Sequence, residues 1–247
     1  MKKLSLEEIA QEELLHAKRV ELESQKKERF VKLTFLIATE GTQTEPNYFN
    51  ALKTELEKSN RFNIDISVQG KGKSTTVLVG KVYRQIKYNH QEYDRVWVVF
   101  DRDEFPDFDK AIQQATEHKI NCAWSNESFE LWLLLHFRDV TQKTNRKDLC
   151  DLLEKAIRNE LHKTAPNALY DYSKGNEKIY EHVTTLGSEA DAFARANALK
   201  KNHKDSVDAP STQNPCTLVD ELVFELRNPE LTAEKVQEEE KNKSLGR

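Results

Sequence analysis

The stretch "VKLTFLIATEG", residues 31–41, decides how the rest of this 247-residue chain is interpreted. Its first eight residues form an apolar run of strand length, which is typical of a strand buried on both faces of a sheet. The run ends at Glu40, which is followed at once by Gly41. A buried strand has no structural need for a carboxylate at its tip, so Glu40 is a candidate for chemistry.

Strand and helix patterns alternate after this first strand. Strand-like runs cover 62–69, 94–100 and 120–124, and runs with helical spacing cover 45–59, 74–89, 106–119 and 126–137. Such alternation is typical of right-handed βαβ crossovers in a parallel sheet. We therefore predict an α/β, Rossmann-like fold with a mainly parallel four-stranded sheet flanked by helices and followed by a helical C-terminal half.

Composition divides the chain into four parts. We predict a charged N-terminal helical arm at residues 1–30 and the α/β core at 31–138. A helical extension packed on the core is predicted at 139–230, and a charged tail that is frayed or disordered at 231–247. The arm is interpreted either as a solvated helix or as a partner-binding helix, and the sequence leaves both open.

The overall charge and the cysteines exclude several classes of protein. A net charge of -4 provides no global basic field, which argues against a purely electrostatic DNA-binding protein but allows a local basic groove. No run approaches the roughly 20 apolar residues of a membrane helix, and the N-terminus has no apolar signal core, so we predict a cytoplasmic protein. The three widely spaced cysteines are predicted to be reduced thiols.

Acidic side chains follow three of the predicted strands. These acids are Glu40 after the first strand, Asp101 and Asp103 after the third, and Glu127 and Glu130 after the fourth. Because carboxyl ends of parallel strands share one edge of the sheet, we expect the acids to converge there. Converging carboxylates repel unless a cation offsets their charge, and Mg²⁺ or Mn²⁺ favours oxygen ligands. The sequence thus predicts a metal site on Asp101 and Asp103, with Glu40 as a further ligand or general base.

Simpler interpretations remain for some of these acids. The D-x-D pair is also compatible with a polar turn, and Glu127 and Glu45 are acids that the dipole at a helix N-terminus favours. Glu130 is harder to explain, because it stands in a very apolar helix where an unpaired carboxylate is costly. His136 lies six residues further on, on a different face, and is interpreted as a core histidine.

A glycine- and lysine-rich loop, "QGKGKSTT" (69–76), follows the second strand. It invites comparison with a nucleotide-binding P-loop, but position 67, where that motif requires its first glycine, is Ser67. We instead predict that Lys71 and Lys73 contact phosphates of a nucleic acid. A flexible surface turn is the equally good alternative.

Four segments together resemble a known family: "ATEGTQTEPNYF", "VVFDRDE", "SNESFELWLLLHF" and "NPCTLVDELV". They are similar to the RloB family of bacterial proteins, within the wider group of Toprim-like folds, over about residues 32–225. The Toprim pattern is a Glu after the first strand and a D-x-D after the third. The resemblance implies that Glu40 is the general acid/base, that Asp101 and Asp103 bind Mg²⁺, and that Glu130 is a family-specific addition to the catalytic set.

The same resemblance implies a function. It suggests a Mg²⁺-dependent phosphodiester nuclease that cuts DNA or RNA in bacterial anti-phage defence and abortive infection, with an AAA/ABC-type ATPase as partner. The alternative is a non-catalytic adaptor, which binds metal or a nucleotide structurally while the charged arm recruits the ATPase.

Overall fold

The computed structural model describes residues 32–59, 62–68, 74–88, 92–102, 106–203 and 209–244. From Leu33 onward these residues belong to one structural unit. The predicted arm at 1–30 and three predicted site residues, Lys71, Lys73 and Asp103, lie outside the described residues.

One sheet organises the described part of the chain. Its strands are β1 (Leu33–Thr39), β2 (Phe62–Val68), β3 (Arg95–Asp101), β4 (Asn121–Asn126) and β5 (Cys216–Thr217). The order across the sheet is β2-β1-β3-β4-β5, with β1 to β4 parallel and β5 antiparallel to β4. The predicted mainly parallel, Rossmann-like α/β fold is confirmed. The fifth strand was not predicted, because two residues are too short to produce an alternating pattern.

Helices connect and cover these strands. They are α1 (Thr44–Leu56), α2 (Thr75–Tyr88), α3 (Phe108–Glu117), α4 (Glu130–Leu135), α5 (Arg146–Thr164), α6 (Ile179–Leu186), α7 (Glu189–His203), α8 (Val219–Arg227) and α9 (Pro229–Ser244). The helix predicted over 126–137 is thus reduced to α4, because β4 extends to Asn126.

Helices lie on both faces of the sheet, as expected for crossover connections. In β1, Leu36 and Ala38 pack against the buried faces of α2 and α3. The alternate residues Phe35 and Ile37 are also fully buried and point to the opposite face. The first strand is therefore buried on both sides, as its apolar run predicted.

The C-terminal segment differs from its prediction. Residues 229–244 form α9, whereas the sequence predicted a frayed or disordered tail from about 231. Thr232 and Ala233 are buried, and Glu239 forms an ion pair with Arg95 of β3. Because much of the contact between this helix and the core is ionic, the weak apolar pattern of the segment could not predict an ordered helix.

Two further predictions concern membranes and thiols. Within the ranges given above, the chain contains no helix with the length and apolar character needed to cross a membrane. Cys122, Cys150 and Cys216 are free cysteines, as predicted.

Candidate functional site

The topology of the sheet identifies one place for a site. After β1 the chain turns through α1 to β2 on one side, and after β3 it turns through α3 to β4 on the other. Neighbouring strands whose connections diverge in this way leave a crevice at their carboxyl ends, where ligands of open α/β sheets bind. Glu40 follows β1 and Asp101 ends β3. The Glu40 N–H donates to the Val99 carbonyl oxygen at 2.9 Å, which fixes Glu40 against the end of β3.

A cavity of about 300 Å³ opens at this crevice, and we call it the switch-point cavity. Its lining residues are Glu40, Gly41, Thr42, Gln43, Thr44, Glu45, Asp101, Arg146 and Lys174. The structure therefore brings together Glu40 and Asp101, the acids predicted at the ends of the first and third strands. Asp103, the second acid of the D-x-D pair, lies outside the described residues.

Glu45 is a third carboxylate in the switch-point cavity, and it was not among the predicted site residues. It stands in the first turn of α1, as the dipole argument requires, but only 7% of it is exposed. Burial raises the pKa of Glu45, and the nearby Glu130 carboxylate raises this pKa further. A side chain at Gly41 would collide with the Glu45 carboxylate, whose oxygens lie 2.1 Å from the Cβ position. The glycine after Glu40 therefore makes room for a second buried acid.

Two cations complete the cavity, and both come from the helical half. Arg146, the first residue of α5, donates from Nη2 to Asp101 Oδ2 at 3.1 Å. Lys174 lies in the loop before α6, and its carbonyl oxygen accepts a hydrogen bond from Thr44 Oγ1 at 3.2 Å. The cavity thus has an acidic wall from the ends of β1 and β3 and the start of α1, and a basic wall from the helical half. Arg146 was not among the predicted site residues, because no sequence spacing relates it to Glu40 or Asp101.

Glu130 lies beside the switch-point cavity and does not line it. Its Oε1 accepts a hydrogen bond from the Tyr172 hydroxyl at 2.8 Å, and its Oε2 accepts one from Ser128 Oγ at 2.6 Å. These two bonds explain how a carboxylate that is 2% exposed can start the apolar helix α4. The charge of Glu130 still acts on Glu45. The predicted catalytic role of Glu130 stays a prediction, and the contacts identify the groups that position it.

The oxygen-rich wall fits a hard divalent cation by the chemistry of its donors. Glu40, Glu45 and Asp101 offer only carboxylate oxygens, which are the ligands Mg²⁺ and Mn²⁺ favour. In the described ranges no three acid, cysteine or histidine side chains are already grouped closely enough to hold a metal ion. The predicted ligand Asp103 falls outside those ranges, so the predicted set is only partly described.

His136 occupies the core position that the sequence analysis assigned to it. It is 2% exposed, and its Nδ1 donates to the Trp132 carbonyl oxygen at 3.0 Å. Burial lowers the pKa of His136 to about 4, and the charge of Arg195 acts in the same direction. The imidazole is therefore neutral in the folded protein at neutral pH.

This histidine predicts an acid-sensitive stability. In the unfolded chain its pKa is near 6.5, so the folded state binds fewer protons between pH 6.5 and about 4. The contribution of His136 to the free energy of unfolding is fully present above pH 6.5 and is lost as pH falls through this window, by on the order of 3 kcal/mol once pH reaches about 4. We expect His136→Gln, which keeps a donor for the Trp132 carbonyl, to remove this pH-dependent part of the free energy of unfolding.

Urea unfolding at pH 7.5 and pH 5 measures the effect. The free energy of unfolding of the wild type should fall more between these pH values than that of His136→Gln. Parallel changes in the two proteins would show that His136 does not titrate on unfolding in the expected way.

The fold and the cavity define a class, a Rossmann-like α/β protein with an acidic cavity at the switch point of its sheet. A family model described as "RloB-like protein" matches residues 35–226. The chain therefore belongs to the RloB-like family. Neither the curated proteins nor the solved structures contain a significant match to it.

Proposed function

We propose that this protein is a Mg²⁺- or Mn²⁺-dependent phosphodiester nuclease that cuts DNA or RNA on a Toprim-like core. The observation that carries the proposal is the lining of the switch-point cavity. Glu40, Glu45 and Asp101 face a cavity that Arg146 and Lys174 also line. Carboxylates suit a metal ion and guanidinium and ammonium groups suit a phosphate, so one cavity offers both halves of a nuclease site.

Each group has a role that follows from its chemistry. Glu40, Asp101 and Asp103 would hold the metal ion, which supplies Lewis-acid stabilisation of charge on the phosphoryl oxygens when bound. In hydrolysis a water oxygen attacks phosphorus and the ester P–O bond breaks, with one proton leaving the water and one reaching the departing oxygen. Glu40 would move such a proton.

The basic wall provides binding and orientation. Arg146 presents a planar fork of donors that matches two phosphate oxygens, and Lys174 adds a second positive charge. The ion pair between Arg146 and Asp101 holds the guanidinium at the acidic wall. A phosphate that accepts bonds from Arg146 would therefore lie next to Asp101.

The wider biological role rests on the family. The chain belongs to the RloB-like family, and from what the resemblance to that family implies we propose a part in anti-phage defence in the cytoplasm, together with an ATPase of the AAA/ABC type. The adaptor hypothesis keeps the same cavity as a structural metal or nucleotide site without turnover.

Activity and metal binding separate these hypotheses. We expect the full-length protein to cleave DNA, RNA or tRNA in Mg²⁺ or Mn²⁺ buffer, alone or with its ATPase neighbour, and to stop when EDTA removes the metal. Calorimetric titration with each metal gives a second measurement. Metal binding without cleavage of any of the three substrates, with and without the ATPase, would overturn the nuclease and leave the adaptor.

A further inference from the structure

A second cavity lies beside the first along the same edge of the sheet. Its volume is about 370 Å³, and we call it the Arg102 cavity. It is lined by Arg102, Asn126, Glu127, Lys143, Ser211, Thr212 and Asn214. Volumes of this size are sufficient for a small polar ligand.

The two cavities are neighbours because the same two chain segments line both. Asp101 lines the switch-point cavity and the next residue, Arg102, lines the other, as expected where successive side chains point in opposite directions. Arg146 lines the switch-point cavity, and Lys143 lines the Arg102 cavity three residues earlier. A ligand that fills both cavities would pass from the acidic group at Asp101 to the basic group at Arg102.

Internal hydrogen bonds fix the walls of the Arg102 cavity. Ser211 is held by Asp109, which accepts from the Ser211 N–H at 2.9 Å. Asn126 Nδ2 donates to the Ser211 carbonyl oxygen at 3.1 Å. Asn214 joins two more segments, since its Nδ2 donates to Glu127 Oε2 at 3.1 Å and its Oδ1 accepts from the Thr144 N–H at 3.2 Å. The cavity is thus built from four cross-linked segments and exists before a ligand enters.

The charge of this cavity favours an anion. Among the described residues that line it, the ionisable ones are Arg102, Lys143 and Glu127, so two positive side chains stand against one negative one. Lys143 is exposed, so its ammonium is accessible to a ligand. This local excess of positive charge contrasts with the net charge of -4 of the whole chain.

We propose that the Arg102 cavity binds the nucleotide next to the scissile phosphodiester, which makes the substrate a polynucleotide chain and not a small phosphodiester. This inference rests on the proposed function of the switch-point cavity. Arg102 and Lys143 contact the neighbouring phosphate, and the sugar and base of the same nucleotide lie beside the other lining residues, among them Thr212 and Asn214. The enzyme then holds two consecutive units of the chain, one in each cavity.

Binding as a function of salt tests the proposal with Lys143→Ala and Arg102→Gln. The probes are short fluorescein-labelled single strands, one of DNA and one of RNA, with Ca²⁺ in place of Mg²⁺ to prevent turnover. The logarithm of the association constant falls linearly with the logarithm of the salt concentration, and each lost phosphate contact should make this slope shallower by about 0.7. In Mg²⁺, KM for the strand should rise with kcat nearly unchanged, while hydrolysis of bis(4-nitrophenyl) phosphate should stay at the wild-type rate. The difference between the two strands identifies the preferred sugar.

Lys163→Ala is the matched control. Lys163 is an exposed lysine near the far end of α5, about 26 Å from Arg146 along the helix. Wild-type salt slopes in both cavity variants, or no binding of either strand by the wild type, would overturn the proposal. If the variants lose as much activity on bis(4-nitrophenyl) phosphate as on the strand, the proposal is also overturned, because Arg102 and Lys143 would then serve the reaction centre.

Failure of the proposed function gives a different result. A wild type that cleaves nothing, but whose strand binding depends on Lys143, would retain the nucleotide subsite and refute the nuclease.

Discussion

If the proposed nuclease mechanism holds, we expect replacement of Glu40 by glutamine to lower phosphodiester cleavage by about 10²–10⁴-fold, the range for loss of a general acid/base. Glutamine keeps the shape of the side chain and removes its charge and its ability to accept a proton. The backbone bond from residue 40 to the Val99 carbonyl oxygen stays in place. Initial rates of oligonucleotide cleavage in Mg²⁺ buffer, measured with purified full-length protein, give the change.

Thermal unfolding distinguishes this catalytic effect from damage to the fold. Glu40 is 5% exposed and shares its cavity with Glu45 and Asp101, so removing one charge relieves repulsion among three acids. The melting temperature of Glu40→Gln should therefore equal or exceed that of the wild type. A loss of activity without a loss of stability is typical of an active-site residue.

Two further variants complete the test. Asp101→Asn should also lower cleavage strongly, whereas Glu181→Gln, at an exposed acid on α6, should cleave at the wild-type rate. Full cleavage by folded Glu40→Gln would remove Glu40 from the mechanism.

The parts of the fold that follow from local patterns could be predicted from the sequence. β1 and β3 are long apolar runs, and each is followed by a helix with a regular buried face, so their parallel pairing follows from connection rules. β5 and α9 could not be predicted in this way. The first is two residues long, and the second is anchored by the contact of Glu239 with a strand more than 140 positions earlier.

The same division holds for the candidate site. Glu40 and Asp101 were predicted to converge, because carboxyl ends of adjacent parallel strands always meet at one edge. The orientation of Glu45 depends on packing against Gly41, and no periodicity reports it. Arg146 and Lys174 reach the cavity only because the helical half folds back onto the sheet. The sequence therefore identified two of the three acids in the cavity, Glu40 and Asp101, and did not identify Glu45 or Arg146.

The opposite edge of the sheet carries an ionic cluster that joins α8 and α9 to β3. The Arg95 guanidinium is 3% exposed, and its Nε donates to Glu225 Oε2 at 2.8 Å while its Nη1 donates to both oxygens of Glu239 at 3.0 Å. Glu225 is 5% exposed and also accepts from Trp97 Nε1 at 3.0 Å and from Lys235 Nζ at 2.7 Å. Arg95 thus offsets two carboxylates at the point where the C-terminal helices meet the core.

Replacing Arg95 with methionine should lower the free energy of unfolding by about 3–5 kcal/mol, because the buried Glu225 then loses its closest counter-charge. The double variant Arg95→Met/Glu225→Gln should lose less stability than the single one, since it removes the uncompensated charge and keeps an acceptor for Trp97.

Glu239→Ala is the matched control: that carboxylate is 46% exposed, and its loss should lower the free energy of unfolding by at most about 1 kcal/mol. Urea unfolding at pH 7 followed by tryptophan fluorescence measures all three variants. If the single and double variants lose equal stability, the cost belongs to lost packing of the arginine stem, and the charge of Glu225 is already satisfied by Lys235.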